Sequence, residues 1–232
     1  MEALTRLFLV RAPAVLGPPS SSRCGIPAEL QIDGTLDFAV DEERFAACIP
    51  TLERLAGRNP AAIVSSTSER SLRASKVLAE RSNAKVELES DLQPRFLGSW
   101  QSARPSTLGP EWGSFLADRR TGAPEDSEPL EATGTRVLAV LDRIASNFSQ
   151  REVVVVLHAD GIRAALARAL NITDGNVFVP EPGQAIALDW AHPQALEFQH
   201  AVIGMGFDWD VAPTSNKVHR FPGGASVLPR SS

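Results

Sequence analysis

Cys24 and Cys48 are the only thiols in a chain of 232 residues. They match no metal-ligand spacing and are too few for a disulfide framework, so reduced thiols in a cytosolic protein are expected. No apolar run approaches the length of about eighteen residues needed to cross a bilayer. The stretch before Arg11 is too short, and with Glu2 wrongly flanked, to read as a secretory signal. These absences predict a cytoplasmic protein with no membrane contact. Basic charge is not in excess either: 23 Lys and Arg face 28 Asp and Glu, a net charge of -5. Without a global positive field a dedicated nucleic-acid binder is excluded, and any charge that binds an anion has to be local. Repeats, low-complexity segments and an obvious linker are lacking too. Residues 1–221 therefore read as one domain, with 222–232 as a loose tail.

What is present is an alternation of buried strands and amphipathic helices. Arg6-Leu7-Phe8-Leu9-Val10-Arg11-Ala12-Pro13 is an apolar run that delivers an arginine and breaks at a proline. Such runs are strands covered on both faces, which favours a parallel sheet between helix layers. A loop rich in Gly, Pro and Ser follows and carries Arg23, a further candidate charge for a nearby site. Phe45, Ala46, Ile49, Leu52 and Leu55 then fall at helical spacing over 41–55, with Pro50 expected to kink or shorten the helix and Gly57 to stop it. A short strand, 61–64, leads to Ser66 and Glu69, whose spacing fits a capping box. That predicts a helix with Leu72, Val77 and Leu78 on its buried side and Arg70 in its first turn.

Val86–Leu88 reads as a weak strand, and helices are expected over 110–118 and 128–148. The second of these carries Leu130, Val137, Val140, Leu141 and Ile144 as its apolar stripe. Glu152–His158 is the clearest buried strand; Asp160 is placed to cap a helix over 162–170. Strands at 184–189, 195–201 and 207–211 are expected near the sheet edge.

Three strand ends thus each present a polar group: Arg11, Arg70 and His158. Two guanidiniums donating paired charge-assisted bonds, an imidazole and adjacent helix N-termini are what a phosphate dianion requires. The sequence places a phosphate site at the carboxyl ends of the strands, where ligands of such sheets bind.

The chain resembles the histidine phosphatase superfamily, the phosphoglycerate mutase-like group. The resemblance rests on Leu9-Val10-Arg11-Ala12-Pro13, matching a strand that ends Arg-His-Gly or Arg-His-Ala-Pro, and on Ser65-Ser66-Thr67-Ser68-Glu69-Arg70, matching Ser-Ser-Pro-Leu-x-Arg. Leu92–Trp100 matches Leu-x-Glu-x-x-Phe-Gly-x-Trp, and Leu157–Arg163 matches a strand ending Ser-His-Gly before a helix. Arg23-Cys24-Gly25 is faintly similar to a loop of the α-ribazole phosphatase branch. The resemblance implies a three-layer α/β/α sandwich with a mainly parallel central sheet. It also implies a small phosphorylated ligand, no metal or other cofactor, and hydrolysis through a phosphohistidine. In that mechanism the arginines and the second histidine hold the phosphoryl oxygens while a carboxylic acid protonates the leaving group.

Two working positions depart from the pattern. The nucleophile position is Ala12 and the usual acid position is Pro94; neither side chain can do the work. Removing a nucleophile from a comparable unit costs roughly 10⁶ in turnover. Three explanations compete: natural decay into a protein that still binds a phosphomonoester, an engineered alanine variant of an active phosphatase, and a repurposed site in which His158 attacks. Glu128 is a candidate acid, lying where the family often has Gly-Glu-Ser; the alternative is a carboxylate placed near a helix N-terminus by the dipole. The rival class is a non-catalytic scaffold or interaction protein on the same fold.

Overall fold

The computed structural model describes residues 4–14, 32, 35, 39–169, 177, 179–191 and 201–205. Its centre is β1 (Leu4–Arg11), in which Leu7, Phe8, Leu9 and Val10 are all fully buried. Successive strand side chains point to opposite faces, so one strand feeds two cores. Leu7 and Leu9 join Val137, Val140, Leu141 and Ile144 of α5 (Leu130–Asn147) and Ile162, Ala165 and Leu166 of α6 (Ala159–Ala169). Phe8 and Val10 join Cys48, Leu52 and Leu55 of α1 (Glu42–Ala56) and Ala74 and Leu78 of α2 (Glu69–Ser82). This is the three-layer α/β/α arrangement, and each fully buried aliphatic side chain contributes about 1.5–3 kcal/mol to it.

The remaining strands are β2 (Ala62–Ser66), β3 (Val86–Glu89), β4 (Glu152–Leu157), β5 (Ala185–Ala191) and β6 (Ala201–Met205). They form one six-stranded sheet in the order β3-β2-β4-β1-β5-β6. Pairing is parallel from β3 through β1 and antiparallel for β5 and β6. A short helix α3 (Pro105–Leu108) precedes α4 (Pro110–Ala117). Phe115 of α4 packs with Trp100, Leu97 and Ile32 in a small separate apolar cluster.

Several local expectations are corrected. α1 runs without a break through Pro50; the lost backbone bond, worth about 3 kcal/mol in an exposed helix, is offset by burial of Phe45, Cys48, Leu52 and Leu55 on both sides of it. Its N-cap is Asp41, whose side chain accepts from the Arg44 amide at 3.1 Å. Ser66 caps no helix. It is the last residue of β2, α2 starts after Ser68, and the Ser66 hydroxyl meets His158 instead. Leu72 is 37% exposed and the buried side of α2 is formed by Arg70, Ser71, Ala74, Ser75 and Leu78. Asp160 lies inside the first turn of α6, not at its cap, and pairs with Arg163 at 2.7 Å. The strand expected at 184–189 is present as β5 and lies near the sheet edge, second from it, as expected. The long stripe of α5 is buried at all five expected positions. Arg23, Cys24, the proposed strand at 207–211 and the tail 222–232 lie outside the described residues, as do 195–200 of the proposed strand at 195–201; the described strand there, β6, starts at Ala201.

Candidate functional site: an arginine-lined cleft

β1 and β4 lie side by side with Arg11 opposite Leu157, so the next residues to emerge are Ala12 and His158. The Ala12 amide donates to the Leu157 carbonyl at 2.8 Å, which fixes the two exits against each other. β2 flanks β4 on its other side, with Ser65 opposite Val156. The chain leaves β1 for α1 on one face and β4 for α6 on the other. Adjacent parallel strands whose connections part in this way leave a crevice at their carboxyl ends. The crevice is a cleft of about 430 Å³ whose walls include Arg11, Ala12, Arg70, Pro94 and His158.

His158 is buried, at 6% exposure. Arg70 donates from Nη2 to its Nδ1 at 3.1 Å. A guanidinium has no acceptor, so Nδ1 carries a lone pair and the proton sits on Nε2. Nε2 lies 3.0 Å from Ser66 Oγ, 3.3 Å from Ser68 Oγ and 3.5 Å from Ser71 Oγ. Burial, then the positive charges of Arg70, Arg136 and Arg11, hold the ring well below the usual histidine range, and it is neutral at pH 7.

Arg70 is itself buried, and desolvation followed by the charge of Arg11 pulls its pKa to about 10. Arg11 donates from Nη1 to the Pro180 carbonyl at 2.9 Å. Its pKa is also lowered, first by burial, with Glu181 opposing. Both guanidiniums stay charged at neutral pH in a partly desolvated setting, where their bonds to an anion are stronger than in water.

Three more arginines and a carboxylate stand on the cleft wall: Arg95, Arg119, Arg163 and Asp160. In the sequence Asp160 is read only as a helix cap, Arg95 and Arg163 lie within matched motifs without a role, and Arg119 carries no signal. Arg95, 3% exposed, donates to the Glu128 carbonyl at 2.6 Å and to the Arg119 carbonyl at 2.7 Å. Arg119 lies over the rings of Phe115 and Trp112.

Glu128 does not line the cleft. Its carboxylate takes a paired hydrogen bond from Arg136 at 2.7 and 2.9 Å. Burial acts to raise its pKa, but Arg136, with help from Thr133 and the Phe96 amide, outweighs this and holds it below the ordinary value. Among the described residues, no group of three His, Cys, Asp or Glu is placed to hold a metal ion. No helix among them is long and apolar enough to cross a membrane.

The sequence profile of the histidine phosphatase superfamily (branch 1) matches residues 28–193. The chain belongs to the histidine phosphatase superfamily. The matched span begins beyond β1 and so leaves out Arg11 and Ala12. No curated protein sequence matches the chain. Among solved structures it is similar to mycobacterial glucosyl-3-phosphoglycerate phosphatase (20% identity, TM-score 0.71, 85% of this chain and 96% of that one). It is also similar to YhfR of Bacillus stearothermophilus (17%, 0.72, 90% and 98%). A third is the phosphoserine phosphatase of Entamoeba histolytica, solved with 3-phosphoglyceric acid (16%, 0.66, 87% and 96%). The mycobacterial enzyme has also been solved with inorganic phosphate. At these identities the likeness is one of fold. The superfamily member described here keeps two arginines and a neutral histidine at its strand ends, an arrangement able to hold a phosphoryl group. Beside them, where β1 ends, the cleft wall offers only the methyl group of Ala12.

Proposed function

We propose that this chain binds a phosphomonoester through Arg11, Arg70 and His158 and hydrolyses it poorly or not at all. The family's nucleophile position is held by Ala12 and its usual acid position by Pro94. The observation that supports this reading is the junction of the β1 and β4 ends, where Arg11 lies opposite Leu157 and the Ala12 amide donates to the Leu157 carbonyl, so that Ala12 and His158 leave the sheet on adjacent strands. An imidazole in place of the Ala12 side chain would enter the cleft next to both arginines, and none is there. Loss of nucleophile and acid together favours natural decay over one engineered change. The fold of relatives solved with phosphate or 3-phosphoglyceric acid supports a small phosphorylated ligand. The chain is read as one domain over 1–221 acting in the cytoplasm.

His158 is poorly placed to substitute as nucleophile. Its protonated Nε2 has no lone pair to offer, and the lone pair on Nδ1 is engaged by Arg70. The scaffold reading requires the site arginines to be consumed internally; Arg11 instead bonds a neutral carbonyl and forms no ion pair among the described residues. The test is hydrolysis of a chromogenic phosphomonoester by the chain and by its Ala12→His variant. Background turnover for the chain and a measurable gain in the variant are expected. Robust turnover without the change would overturn the reading.

A further inference from the structure

The walls of the cleft are of two kinds. Arg11 and His158 stand at the ends of β1 and β4, and Arg70 in the first turn of α2. Beyond them the wall is built by the chain between β3 and α5, through Leu97, Pro105 and Trp112, with Ile32 from the connection after β1. Ile32, Leu97 and Trp112 belong to the small apolar cluster around Phe115, so that cluster is both a core and a cleft wall. Trp112 is half-buried and braced. Its ring centre lies 6.1 Å from that of Trp100, edge to face, and 5.4 Å from that of Phe115.

Among the described residues that line the cleft there is no serine, threonine, asparagine, glutamine, lysine or glutamate. The one carboxylate, Asp160, already accepts from Arg163 Nη1 at 2.7 Å. Two further arginines have protein partners as well. Arg95 donates to the carbonyls of Glu128 and Arg119, and the Arg119 guanidinium carbon lies 4.5 Å from the Phe115 ring centre. A sugar hydroxyl entering here would give up its bonds to water and find few acceptors, a loss that an apolar group does not suffer. A flat ring would instead exchange water for the indole of Trp112 and the aliphatic side chains of Ile32 and Leu97. Aromatic pairs also gain beyond their buried area.

We propose that the cleft takes an aryl phosphomonoester, whose ring is carried by Trp112, Ile32 and Leu97 while Arg11 and Arg70 hold the phosphate. This rests on the reading of the strand ends as a phosphate site. The apolar wall then selects among phosphate esters against those with hydroxyl-rich alcohols.

Calorimetric titration of the full chain with inorganic phosphate, 1-naphthyl phosphate and glucose 6-phosphate tests it. The naphthyl ester should bind about tenfold or more tighter than glucose 6-phosphate. Trp112→Ala should bring the two esters to within about threefold of each other. Inorganic phosphate should bind that variant as it binds the parent, which reports that the fold and the phosphate site persist. The parent's ranking of the two esters stands as a test even where the variant does not fold. Leu116→Ala, which removes an exposed apolar side chain of the same helix from outside the cleft wall, should keep the parent ratio. Equal affinity of the two esters for the parent, tighter binding of glucose 6-phosphate, or a naphthyl preference that survives Trp112→Ala would overturn this inference and leave the phosphate site standing. No binding of any of the three to the parent would overturn both.

Discussion

Arg70 donates from Nη2 to Nδ1 of His158 at 3.1 Å, and that bond sets what the histidine can be. It fixes the Nε2–H tautomer and turns that proton toward Ser66, Ser68 and Ser71. It also brings a fixed positive charge against the ring, so protonation there would bury a second cation beside the first. His158 is thus a neutral, well-anchored donor.

A neutral buried histidine makes stability depend on pH in one direction. Its folded-state pKa lies well below its ordinary value of 6.5, so below that pH the unfolded chain binds a proton that the folded chain does not. Stability from this group is fully present above about pH 6.5 and falls by about 1.4 kcal/mol per pH unit beneath it, down to the folded pKa. Urea unfolding at pH 7 and pH 5 should show the loss, and His158→Asn should flatten it. A slope unchanged by His158→Asn would show that the ring titrates normally.

Glu128 is expected to act on structure before chemistry. Its partner Arg136 also donates to the carbonyls of Asp91, Gln93 and Pro94, clamping the segment that carries Pro94 against α5. Glu128→Gln removes the charged half of the clamp and should lower unfolding free energy by about 1–2 kcal/mol. The check is chemical denaturation, read beside the pH–rate profile of the Ala12→His, Glu128→Gln double variant. Unchanged stability with loss of that profile's high-pH limb would return Glu128 to the role of acid.

Gly183 sits where the 180s segment meets β1, its amide donating to the Arg11 carbonyl at 2.8 Å. Its φ is +80°, and a Cβ there would collide with the Cys48 side chain on α1. Gly183→Ala should cost about 1–3 kcal/mol from backbone strain and forced repacking. Because Pro180 accepts from Arg11, phosphate affinity should fall as well. A variant as stable as the parent, measured by thermal unfolding with and without phosphate, would show that Cys48 yields freely.

The two-faced apolar runs 7–10 and 153–157 are legible in the sequence because a strand between two helix layers has no polar face to disguise it. The five-residue stripe of α5 is legible because period 3.6 admits one buried side. Arg11 and His158 could be placed from those runs alone, as each ends a buried strand, and Arg70 from its position after the next one. Long-range pairings could not be placed in that way. Ser66 left its local cap because an imidazole 92 residues away in sequence offered a better partner in a buried site. Leu72 lost its place in the core to Arg70, which the site required.

Glu128 was drawn to Arg136, and the cleft's further charges came from Arg95, Arg119 and Arg163, scattered over three segments whose local sequence does not show that they meet. Local sequence determined which segments are strands and helices and which residues stand at strand ends, since periodicity and burial act over neighbours. Only the tertiary structure decided how those ends meet. Charge and hydrogen bonding depend on distance in space, and the crossovers that bring β2, β4 and β1 together set that distance.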